Sequence, residues 1–181
     1  MMIRTAIATA AVSLIAACGS MSPNMPTYSQ AALPATVQVP AGHKVAMETV
    51  GVGEITYLCS AKKDVAGQYE WVFVGPDAKL MSRGGQQVGK YYGPPATWEA
   101  MDGSKLTAVQ VAVAPHMAGS IPLQLVKGNP AMGTGAMQGV TYIQRVDTRG
   151  GVAPAAACSA GNMNAKQTVN YQADYIFYKT M

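Results

Sequence analysis

Near the end of the chain, Val169, Tyr171, Ala173, Tyr175 and Phe177 alternate with Thr168, Asn170, Gln172 and Asp174. Successive side chains of an extended strand point to opposite faces, so this pattern describes a strand with one dry and one wet face. The same period of two recurs upstream. Ile55, Tyr57 and Cys59 alternate with Glu54, Thr56 and Leu58, and Tyr69, Trp71 and Phe73 with Glu70, Val72 and Val74. Thr107, Val109, Val111 and Val113 alternate with Ala108, Gln110 and Ala112, and Val140, Tyr142, Gln144 and Val146 with Thr141, Ile143 and Arg145. No segment beyond the first residues sustains the i, i+3, i+4 apolar stripe of an amphipathic helix. The chain therefore reads as all-β: a single-domain sandwich or small barrel of about seven or eight mostly antiparallel strands.

Residues Gly75 to Lys105 break this texture with Gly75-Pro76, Gly84-Gly85, Gly93-Pro94-Pro95 and Asp102-Gly103. They read as a long Gly/Pro-rich loop, and connections of that length are often functional. Gly128 to Gly139 mixes glycine with methionine and reads as a second, mobile connection.

The N-terminus carries one positive charge, Arg4, then an apolar run from Ala6 to Ala17, which is the order of a secretory signal. The run is too short to span a bilayer. Ile15-Ala16-Ala17-Cys18 resembles the lipobox of bacterial lipoproteins. That resemblance implies a signal peptide over residues 1–17, a diacylated Cys18 as first mature residue, and a membrane anchor made of lipid. Gly19 stands where inner-membrane lipoproteins carry Asp, which points to the outer membrane, facing the periplasm. Residues 18–36 hold Pro23, Pro26 and Pro34 without hydrophobic period and read as a flexible tether, leaving residues 37–181 as the β domain. With Cys18 committed to lipid, Cys59 and Cys158 remain in an oxidising compartment, where a disulfide is expected.

Removal of the leader leaves 12 Lys and Arg against 9 Asp and Glu, a formal +3. These charges are scattered, with Lys62-Lys63 the one adjacent basic pair, so nucleic acid is not expected as a partner.

A further set of motifs resembles the domain of unknown function 3455 family of secreted or lipidated bacterial and fungal proteins. The matching pieces are Tyr57-Leu58-Cys59, Trp71-Val72-Phe73 with Pro76-Asp77-Ala78-Lys79-Leu80, Gly93-Pro94 leading to Thr97-Trp98-Glu99, and Asp102-Gly103-Ser104. Ile121-Pro122, Val140 to Arg145, Thr148-Arg149-Gly150-Gly151 and Tyr171 to Tyr178 continue the match in order. The resemblance implies no agreed biochemistry. Members often carry His before the Gly-Pro pair, where this chain has Lys90-Tyr91-Tyr92, so no catalytic histidine is expected there.

Tyr91, Tyr92, Trp98, Glu99 and Asp102 concentrate in the Gly75–Lys105 segment. Aromatic faces beside carboxylates suit stacking on, and hydrogen bonding to, a glycan or another envelope ligand. A non-enzymatic binding module built on these five residues is the expected function. The alternative is an envelope polysaccharide hydrolase in which Glu99 and Asp102 act as the carboxylate pair. The structural reading is also open: Trp98 in the core, Glu99 paired with Arg83 or Lys90, and Asp102-Gly103 in a turn. An ion pair between Arg145 and Asp174 is a further possibility. His43 and His116 are distant in sequence and the methionines are dispersed, so neither a metal site nor a cofactor is expected. No Gly-x-Ser-x-Gly nucleophile motif occurs.

Overall fold

The structure, a computed structural model, describes residues 28–181. The expected signal peptide, Cys18 and the first part of the expected tether lie outside the described residues. The alternating segments become eight strands: β1 (His43–Ala61), β2 (Tyr69–Met81), β3 (Gln87–Tyr92), β4 (Thr97–Ala100), β5 (Lys105–Ala114), β6 (Leu123–Gly128), β7 (Val140–Gly150) and β8 (Lys166–Thr180). Each pairs antiparallel with the next, and β8 pairs with β1, so the sheet closes into a barrel. Closure removes the open edges that a flat sheet would expose. Of the two expected architectures, sandwich or barrel, the barrel forms.

The inward row of β8 is the one read from the sequence. Tyr171, Ala173, Tyr175 and Phe177 are buried in the central core with Ile55, Leu80, Leu106 and Ile143. β1 makes room for them with Gly51, where an added methyl carbon would lie 2.5 Å from the Tyr175 ring.

The opposite face of β8 is wet only in its first half. Thr168 and Asn170 are exposed, whereas Asp174, Ile176 and Tyr178 are buried. The cause is the segment before β1. Tyr28 and Leu33 pack with Val37 and Val39 over Leu123, Leu125, Val146, Ile176 and Tyr178, forming a second core outside the barrel. Gln144, fully buried beneath it, donates to the carbonyl of Val37 (2.7 Å) and to Gln30 Oε1 (2.9 Å). It accepts from the hydroxyls of Tyr178 (2.7 Å) and Tyr28 (3.2 Å). From Tyr28 onward the chain is strapped to the barrel wall, so residues 28–36, expected as part of the tether, pack instead.

The Gly75–Lys105 stretch is not one long loop. β2 runs on to Met81, β3 and β4 occupy its centre, and its Gly and Pro clusters form the short turns between them. The Gly128–Gly139 connection, expected to be mobile, is pinned. Asp102 Oδ2 accepts from the Ala136 N–H (2.7 Å), Ser104 Oγ accepts from the Met137 N–H (3.1 Å), and Met137 is fully buried in the central core. Cys59 and Cys158, at the end of β1 and in the segment before β8, are joined as a disulfide. Asp174 pairs with Arg83 (2.7 Å) instead of Arg145, because Asp174 faces outward and Arg145 inward.

Candidate functional site

The five residues singled out in the sequence do not form one constellation. Tyr91 and Trp98 are cross-strand partners whose side chains point into the barrel, with rings 4.5 Å apart and 22° from parallel. Tyr175 lies against both, at 5.0 and 5.9 Å. Trp98 is 2% exposed and Tyr91 6%, so neither is the open platform expected for a sugar. Their strand neighbours, Tyr92 and Glu99, necessarily face outward. The Tyr92 hydroxyl donates to Glu99 Oε2 (2.7 Å), and Lys90 Nζ lies 3.3 Å from Glu99 Oε1 and 5.2 Å from the Tyr92 ring centre. Asp102 sits apart in the turn after β4, where its Oδ1 accepts from the N–H (2.9 Å) and hydroxyl (2.5 Å) of Ser104.

Both carboxyls are held below their ordinary range. For Glu99 the cause is first the Tyr92 hydroxyl and then Lys90. For Asp102 it is the Ser104 hydroxyl, then the backbone N–H groups of Ala136 and Ser104. A glycosidase acid must keep its proton until the leaving group takes it, which calls for a raised value in one of the two. The geometry moves both the other way, and Asp102 has its oxygens committed to anchoring the β6–β7 connection.

A different group of side chains meets at one end of the barrel. A cavity of about 230 Å³ opens there beside the Gly93-Pro94 turn. Its apolar wall includes Phe73, Tyr91, Trp98 and Val126, and its polar side is formed by Gln110, Gln124 and Arg145 from β5, β6 and β7. Gln124 Nε2 donates to Gln110 Oε1 (2.7 Å), joining the two amides. Arg145 points inward because β7 carries an irregularity after Val140: Val140 and Ile143, an odd number of positions apart, both enter the central core. Ile143 and Arg145 then share the inward face, so Arg145 reaches the cavity while Gln144 and Val146 face the outer core.

Electrostatically the cavity is positive. Arg145 Nε and Nη2 donate to the Pro122 carbonyl (3.2 and 3.0 Å), which fixes the guanidinium plane but supplies no negative charge. Arg145 takes part in no ion pair among the described residues. Burial pushes the hydroxyls of Tyr57, Tyr91, Tyr171 and Tyr175 up, and the charge of Arg145 draws each of them back. Trp98 Nε1 is the one buried side-chain nitrogen or oxygen without a hydrogen-bond partner among the described residues. Buried polar groups are nearly always partnered, which makes this donor conspicuous.

Sequence reasoning missed Arg145, Gln110 and Gln124 as site residues. The available signal was a basic residue and two amides inside otherwise apolar strands. The two histidines are engaged elsewhere: Nδ1 of His43 with the Pro40 carbonyl, and Nδ1 of His116 with Thr148. Among the described residues no three His, Cys, Asp or Glu gather as metal ligands.

No curated protein and no solved structure matches the chain. Residues 40–179, the whole barrel but for Thr180, match the model of a family described as protein of unknown function, DUF3455, and the chain belongs to that family.

Proposed function

We propose that the chain is a lipid-anchored protein of the bacterial cell envelope whose barrel is a non-enzymatic binding module, and that its ligand enters the cavity beside Arg145. The observation that carries this reading is the cavity itself: aromatic faces opposite a row of inward polar groups, at the open end of a rigid barrel. Small-molecule sites typically combine a mostly apolar wall with a few placed polar groups. The cavity is smaller than most such sites, so a small ligand, or the end of a larger envelope molecule, fits it best. The hydrolase alternative lacks a carboxyl that holds its proton.

Nuclear magnetic resonance of the ¹⁵N-labelled chain tests the binding reading. A panel of charged and neutral fragments should include members that shift the Trp98 indole N–H saturably, together with the side-chain amides of Gln110 and Gln124. A panel that leaves all three signals in place refutes it. The anchor rests on the lipobox-like Ile15-Ala16-Ala17-Cys18 and has its own test. Fatty acid label should enter the wild type and be lost in Cys18→Ser; equal label in both, or none in either, removes the lipid from the proposal. Outer-membrane placement, facing the periplasm, is proposed with it, and separation of the two membranes checks it.

A further inference from the structure

The proposed binding site has a chemical bias that narrows its ligand. Arg145 carries five N–H donors, and two of them go to the Pro122 carbonyl. The remaining donors belong to a half-buried cation with no carboxylate partner among the described residues. Taking a charge out of water without a counter-charge is costly, and such cations are ordinarily paired. Trp98 lines the same cavity with its ring, while its indole N–H is buried behind it and serves as a nearby reporter. Gln124 Nε2 donates to Gln110 Oε1, so the two amides are linked to each other and neither carries charge. The one formal charge lining the cavity is therefore the Arg145 guanidinium, while Phe73, Tyr91 and Val126 offer apolar surface.

We infer that the cavity binds a small apolar molecule ending in a carboxylate, its oxygens accepting from the free N–H groups of Arg145 while its hydrocarbon part lies against the aromatic wall that Trp98 helps to form. This rests on the binding reading above and specifies its ligand class. Size narrows the class further. A volume of 230 Å³ holds roughly seven or eight water-sized groups at about 30 Å³ each. Benzoate and hexanoate are of that size, and each has a neutral amide counterpart of nearly the same shape.

The experiment titrates the ¹⁵N-labelled chain with benzoate, benzamide, hexanoate and hexanamide at constant ionic strength, following the Trp98 indole N–H. The Trp98→Phe variant assigns that signal by its loss. At least one carboxylate should bind roughly ten- to hundredfold more tightly than its amide, the difference expected for hydrogen bonds to a charged group. Arg145→Gln should bring the carboxylate down to the level of the amide, and Arg145→Lys should restore part of the difference. Equal affinity for carboxylate and amide overturns the inference, as does full benzoate affinity in a folded Arg145→Gln. Binding of neutral fragments without either carboxylate overturns the ligand class and leaves the binding reading intact. Silence from all four probes and from the wider panel removes both. The wild-type contrast of acid and amide holds whether or not the variants fold.

Discussion

Gln144→Leu isolates the contribution of the strap across the barrel wall. The substitution keeps the side-chain size and removes every polar atom. Two of the four hydrogen bonds it deletes are fully buried, those to the Val37 carbonyl and the Tyr178 hydroxyl. Each leaves its partner unsatisfied, at about 1–3 kcal/mol apiece. The bonds to Tyr28 and Gln30 are part-buried, so water can replace them at little cost. Added apolar burial by leucine offsets a fraction, leaving a net loss of about 2–4 kcal/mol. For a domain of this size that lowers the melting temperature by roughly 4–16 °C. Guanidinium denaturation gives the free energy, and hydrogen exchange locates it. The Val37 and Val39 amides, bonded to the Pro34 carbonyl and to Gln30 Oε1, should lose protection before the β3–β4 amides do. A loss below about 1 kcal/mol, or protection falling evenly across the barrel, would refute the account of Gln144 as the clamp.

Reducing the Cys59–Cys158 bridge, whose partners are 99 residues apart, should lower stability by about 4–5 kcal/mol on the chain-entropy view, and matched denaturation curves with and without reductant measure it. Met137→Ala should cost about 2–5 kcal/mol as a cavity opens in the central core; a change within about 0.5 kcal/mol would mean that the β6–β7 connection is not the plug it resembles. Asp102 titrates below its ordinary value of 3.8, so its contribution is present above that value and lost as pH falls through the lower folded-state value. Melting temperatures taken across that acid range should fall less steeply in Asp102→Asn than in the wild type, and parallel curves would contradict the anchoring role.

The fold was legible because eight strands in a closed meander each need one buried face, and alternation states that need residue by residue. The site was harder for the same reason. Tyr91-Tyr92 and Trp98-Glu99 are neighbours in sequence, and a strand sends such neighbours to opposite sides, so a cluster counted along the chain is split across the wall. Period two, applied to β3 and β4 as it was to β8, would have separated them. Arg145 was hidden more deeply: the irregularity after Val140 changes which residues of β7 face inward, and no residue type there announces it. The strap was invisible because Tyr28 to Val39 holds only a three-residue 3₁₀ turn, Ala35–Val37, too short to leave a period to read.

Barrel closure also dictates an order of events. The seam joins His43 to Thr180 and Leu58 to Lys166, so the first strand made waits for the last. A chain that emerges N-terminus first can zip hairpins β1 to β7 as they arrive, yet β1 and β7 then both present unpaired backbone until β8 follows. Contacts so distant in sequence form slowly, since the loop must be closed before they repay it. The outer core beneath the strap is delayed as well, because Ile176 and Tyr178 belong to that same final strand. The last strand thus serves both cores at once: its inward row fills the barrel and its outward row seats the strap.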